Sequence, residues 1–258
     1  MRRETQNILL ILAGGALLKI SFTGAYLLYV KPAHQPWLIG GGAVMLLLAA
    51  VSIARDVFKR PTPAAAASQP DESSPDTHDH SHDDEHDGHN HTARSAWLLL
   101  VPVLTIFLIA PPALGADAVA NGDNRAAVTR SSGAADKILF SPLAPGDPVA
   151  LTMSDFAARA AWDSGNSLDG REVRLTAFIV NQGPTTYLAR LSIACCAADV
   201  LPVRVRLDTP PEQALANDTW VEVTGHVQPG SATEATEYVP TLIPTGFTPI
   251  TQPENPYE

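Results

Sequence analysis

Cysteine is nearly absent from this chain of 258 residues: there are two, Cys195 and Cys196, side by side in LSIACCAADVLP. No CxxC spacing exists, so neither the usual zinc-site pattern nor the usual thiol-redox pattern is present. Basic residues are scarce as well, 17 Lys plus Arg against 27 Asp plus Glu, for a formal net charge of -10. Between residues 117 and 258 the ratio is 17 acids to 9 bases. That balance excludes a polyphosphate groove, which needs basic surface, and no nucleic-acid partner is expected. Charge of either sign is almost missing from three long stretches in the first 115 residues, and what stands there instead is apolar.

The first stretch, Asn7 to Val30, carries one charge, Lys19. It is long enough to cross a hydrocarbon core, which takes about 20 residues of helix. A short connection, KPAHQP, leads to Trp37 to Ala54, whose opening tryptophan suits a membrane interface. Together residues 1–60 read as a transmembrane hairpin with spans at 7–30 and 37–54. Residues 96–115, with Pro102 inside and Pro111-Pro112 near the end, read as a third span. A cleaved signal peptide is the rival for the first stretch, but its apolar core is only about 7–15 residues. Arg2, Arg3, Arg55, Lys59, Arg60 and Arg94 flank the spans on one side, and only Lys31 lies in the first connection. By the positive-inside rule the N-terminus and the 61–95 loop are cytoplasmic, and the C-terminal domain is extracytoplasmic, in a multi-pass protein of the cell's inner (plasma) membrane. Lys19, in KISFT, should face other helices or water; it either snorkels within a bundle or meets a substrate or partner subunit.

Residues 61–95 contain THDHSHDDEHDGHNH, with no apolar residue to bury, and read as a disordered loop. Six histidines fall within fourteen positions: His78, His80, His82, His86, His89 and His91, interleaved with carboxylates. Neutral imidazoles bind zinc, copper and nickel, and a flexible chain can close several around one ion. A plain solvated acidic linker is the alternative.

Residues 116–137, rich in Ala, Gly, Ser and Asn, read as a tether, and residues 138–258 as a small all-β domain. TMSDFAARAAWD predicts one short helix, Met153 to Trp162, with Thr152 as its cap. REVRLTAFIV, TTYLARLSIA, LPVRVRLD and TWVEVTGHV alternate as strands. The fold class expected is thus an α+β membrane protein, a helical hairpin plus third span followed by an OB-like barrel, with an open β-sandwich as competitor. On a regular strand Cys195 and Cys196 would point to opposite faces, and a disulfide between neighbours is a strained ring. If the chain turns instead, Cys195, Cys196 and Asp199 can surround a thiophilic ion, with His226 as a fourth ligand. Thiol exchange through a strained vicinal bond, or simple burial of small apolar side chains, are the other readings.

Four elements, YVKP, CCAADVLPV, WVEVTG and VPTL followed by QPENPYE, resemble the YcgQ-like family of bacterial membrane proteins, two-component permease subunits. The resemblance covers most of the chain outside the histidine loop and the tether. It implies a membrane component beside a larger multi-spanning permease, with no catalytic residue to carry over. Several members lack a third span or so long a histidine loop, so the metal reading comes from this sequence alone. The expectation is a non-enzymatic accessory subunit in transition-metal transport or homeostasis, zinc first, binding metal through the histidine loop. The alternatives are an extracytoplasmic thiol-redox protein using the vicinal pair, or a ligand-free assembly factor for a membrane complex.

Overall fold

The computed structural model describes residues 3–58, 101, 104, 105, 108, 109, 112–120, 122, 140–211 and 214–258. The chain divides into two compact units: one of residues 1–22 and 36–110, the other of residues 23–35 and 111–258.

The first unit holds α1 (Arg3–Thr23) and α2 (Gln35–Phe58), both long and apolar enough to cross a membrane. Their contact is made by glycines. A Cβ on Gly14 would lie 2.9 Å from the Gly42 carbonyl oxygen, and one on Gly42 would lie 3.0 Å from that of Gly14. Bare backbone therefore lets the two helices touch, the small-residue packing common between membrane helices. Phe22, Trp37, Leu47 and Phe58 point outward and are exposed. An exposed apolar face of this kind needs lipid or a partner to cover it. Lys19 is exposed too, on the helix that carries it. Of the third apolar stretch, Val101, Leu104, Thr105 and Leu108 are helical, and the Ile109 N–H donates to the Thr105 carbonyl at 2.8 Å; the rest up to Pro111 lies outside the described residues.

The second unit begins where α1 stops. Gly24, at φ 79°, supplies the left-handed residue that ends the helix, and two short 3₁₀ turns, Ala25–Leu28 and Pro32–His34, carry the chain to α2. Beyond α3 (Ala116–Ala120) come β1 (Val149–Ala150), α4 (Met153–Trp162), β2 (Val173–Gln182), β3 (Thr185–Ser192), β4 (Leu201–Leu207), β5 (Trp220–Val227) and β6 (Thr241–Pro249). The Thr152 side chain accepts the Asp155 N–H at 3.0 Å, fixing the start of α4 where the sequence puts it.

Six strands make one sheet. β2 pairs antiparallel with β3 and with β5, β3 with β4, and β5 with β6, while β4 pairs parallel with β6, so the neighbour relations run β2–β3–β4–β6–β5 and return to β2. β1 adds a short parallel bridge to β2. Inside this circuit Val173, Leu175, Ala177 and Ile179 of β2 meet Val203 and Val205 of β4, Val221 and Val223 of β5, and Met153 and Phe156 of α4. The other face of β2 is covered too: Phe178 and Val180 pack with Ala189 and Leu191 of β3, Val119 of α3, Trp220 and Tyr257. Two strands missing from the sequence reading, β1 and β6, complete the sheet. β6 reads TLIPTGFTP, and its prolines and glycine hide the alternation that marks the others.

Candidate functional site

β3 ends at Ser192, earlier than the apolar pattern implies, and the chain bends through Ala194 to Cys196 into a 3₁₀ turn, Ala197–Asp199. Asp199 holds the bend. Its Oδ1 accepts the Ala194 N–H and its Oδ2 the Cys195 N–H, both at 2.9 Å. Burial works to raise the Asp199 carboxyl, but the N–H bonds from Cys195 and Ala194 outweigh it and hold the group below the ordinary carboxylate range.

The bend overturns the opposite-faces geometry of a regular strand. The two sulfurs lie 3.5 Å apart, with Cys195 exposed and Cys196 half-buried. Both are free thiols, well outside the ~2.05 Å of a disulfide bond. Hydrogen bonding to Asp199, then to Cys196, pushes the Cys195 thiol up to about 11. At neutral pH that sulfur is therefore protonated, and a protonated thiol is a poor nucleophile.

The bend is also a docking point. Val30, in the connection between α1 and α2, forms an antiparallel bridge with Cys196. The Lys31 N–H donates to the Cys195 carbonyl at 3.3 Å, and the Ala197 N–H donates to the Tyr29 carbonyl at 2.7 Å. The tail closes the same place from another side: the buried Tyr257 hydroxyl donates to the Leu28 carbonyl at 3.1 Å and accepts the Leu114 N–H at 3.2 Å. Glu258 pairs by backbone with Leu191 and Ile193, and its carboxylate accepts the Met153 and Ser154 N–H groups at the start of α4. YVKP, CCAAD and NPYE, more than fifty residues apart at the least in sequence, thus meet at one junction.

Two polar atoms in the connection, the Tyr29 hydroxyl and His34 Nδ1, are buried with no hydrogen-bond partner among the described residues. Tyr29, Tyr257 and Glu258 belong to this junction and escape a reading of residue types alone. Their one signal is that YVKP and NPYE are among the elements that carry the family resemblance.

The proposed ligand sets divide as follows. Cys195, Cys196 and Asp199 come together, with Asp199 bonded to backbone. His226 sits on β5, where its Nδ1 faces the Arg171 carbonyl at 3.0 Å and so carries the ring proton toward it. Among the described residues no group of three or more His, Cys, Asp and Glu side chains is set to hold a metal ion. His78, His80, His82, His86, His89 and His91 lie outside the described residues.

Comparison with curated proteins and with solved structures gives no match in either set. Two family domains do match, the DUF1980 N-terminal domain over residues 6–124 and the DUF1980 C-terminal domain over residues 162–258. The first takes in α1, α2 and their connection, and the second takes in β2 to β6, the cysteine bend and the tail, so the junction is where the two matched domains meet. With both halves present in order, the chain belongs to the DUF1980 family.

Proposed function

We propose that this protein is a non-enzymatic, membrane-embedded accessory subunit of a multi-spanning permease, acting in transition-metal transport or homeostasis with zinc as the first candidate. The histidine tract captures ions on the cytoplasmic side, and Cys195 with Cys196 binds them on the other. The second unit is then an OB-like barrel, a reading supported by the circuit of strand pairing and by the parallel β4–β6 contact. The exposed apolar faces of α1 and α2 supply surface for lipid and for the larger partner.

One observation carries the metal reading. Two thiolates on a tetrahedral zinc, each at about 2.3 Å, stand about 3.8 Å apart. The sulfurs here are 3.5 Å apart on one side of an anchored bend, so both can reach one ion with little movement. The Asp199 clamp fixes the backbone beneath them. Metal content of the purified full chain tests this. Wild type should retain zinc, the Cys195→Ser/Cys196→Ser variant should lose the thiol-bound share, and replacing the six tract histidines should remove the remainder. Equal and negligible metal in all three would sink the reading.

Thiol exchange is the second reading, favoured by the same 3.5 Å approach. It is the weaker of the two. Adjacent Cα atoms, about 3.8 Å apart, fall short of the 4.4 Å lower limit usual for a disulfide. Mass measurement after alkylation, before and after reduction, separates the two.

A further inference from the structure

The outer face of β3 and β4 carries a second site. Arg204 and Arg206 are two positions apart on β4 and so project from one face, while Val203, Val205 and Leu207 point into the core. Strand register sets Tyr187 opposite Arg206. In front stands the segment between β5 and β6, and the space enclosed is a cavity of about 490 Å³ walled by Tyr187, Arg204, Arg206, Gln228, Thr233 and Glu237, among others.

That wall is pre-formed. The Ser231 hydroxyl donates to the Gln228 carbonyl at 2.7 Å and accepts the Thr241 N–H at 2.9 Å, and the Thr236 hydroxyl donates to the Ser231 carbonyl at 2.9 Å. Glu237 and Tyr238 then take left-handed conformations in succession, φ 53° and 56°, which large side chains rarely adopt without support. Tyr238 is held from behind by the Trp162 ring, centroids 4.6 Å apart. Glu237 reaches the Arg204 guanidinium at 3.1 Å, although its own side chain is 67% exposed and that of Arg204 only 14%. One carboxylate thus lies on a largely buried cation. Arg206, beside it, is exposed and makes no ion pair among the described residues.

We propose that this cavity binds a small oxyanion, a carboxylate or phosphate group, between Arg204 and Arg206, and that Glu237 is an internal carboxylate that yields its place to the ligand. Guanidinium forks match both groups in geometry and charge. The two arginines are among only nine cations between residues 117 and 258, where acids number 17. That acidic surround repels a polyanion but leaves room for a single small anionic group inside the basic cavity. The site is independent of the thiols, so either can fail without the other.

The test is calorimetric titration of the full chain in detergent with inorganic phosphate and, separately, with succinate at matched ionic strength. Saturable binding is expected for at least one, and the one that binds identifies the headgroup chemistry. Arg206→Gln should weaken it at least about tenfold, the loss of a charge-assisted fork. Arg206→Lys, which keeps the charge, should recover part of it. Glu237→Gln should strengthen binding roughly three- to tenfold while lowering thermal stability, because a competitor and a staple vanish together. Absence of saturable binding by either probe, equal binding by wild type and Arg206→Gln, or a Glu237→Gln variant that binds more weakly would each overturn the proposal.

Discussion

Asp199 governs the behaviour of the Cys195 thiol. Its hydrogen bond is the first cause that pushes Cys195 up to about 11, so Asp199→Asn should bring Cys195 down toward the ordinary thiol range. The measurable result is a rise of about tenfold or more in iodoacetamide alkylation at pH 8, with the midpoint of the rate profile moved to lower pH. An unchanged profile would mean that Asp199 does not control the sulfur. The same side chain sets an acid limit. Its carboxyl is lowered in the folded protein, as is that of Asp163, whose two oxygens accept the Gly165 and Ser167 N–H groups. A lowered carboxyl gives stability that is present above the unfolded value near pH 4 and is lost as pH falls through the folded one. Replacing both by Asn should therefore flatten the loss of stability below about pH 4 in an acid titration followed by circular dichroism. Residue type alone names Asp199 as a ligand beside two cysteines; its bonding to the backbone emerges only once the strand ends early and the turn brings the carboxylate beneath the bend.

At the scale of elements, a single methyl group tests the helix contact. Gly14→Ala puts a Cβ 2.9 Å from the Gly42 carbonyl, where only backbone can give way. Overpacking of this kind costs roughly 1–3 kcal/mol, so the melting temperature in detergent should fall, while Gly15→Ala, which meets nothing within 4 Å, should leave it unchanged. The start of α4 offers a second test. Glu258 accepts both the Met153 and Ser154 N–H groups, and Glu258→Ala should cost about 1 kcal/mol in thermal or denaturant unfolding. Helix α4 could be read directly from the sequence because its apolar spacing and its cap agree, and β2, β4 and β5 because one apolar face alternates along each. β6 could not, since Pro244, Gly246 and Pro249 interrupt its pattern and a register shift at Gly225 is needed to seat it. At that shift a Cβ on Gly225 would lie 2.4 Å from the Ile243 carbonyl, so this glycine serves close strand approach. Nothing local marks the meeting of Tyr29 and Lys31 with a bend some 165 residues later, because a backbone pairing leaves no trace in side-chain type.

At the scale of the whole molecule, the junction gathers distant parts of the chain. Leu28, in the connection after α1, and Leu114, after the third apolar stretch, bond to one hydroxyl, that of Tyr257. Both points therefore lie beside one another within the second unit. The positive-inside reading expects residues 61–95 and the thiols on opposite sides of a bilayer, with residues 96–115 as the return crossing, and labelling tests it. The expected outcome in intact cells is that a membrane-impermeant maleimide labels Cys195 in the native chain, slowly because its thiol is protonated. In a Cys195→Ser/Cys196→Ser background, Ser68→Cys should be labelled only after the membrane is opened. Labelling of both from outside would remove the return crossing and with it the two-sided metal scheme; labelling of Ser68→Cys alone would keep the crossing and invert the orientation, leaving the thiols to face the reducing compartment, where a vicinal pair stays reduced and available to metal.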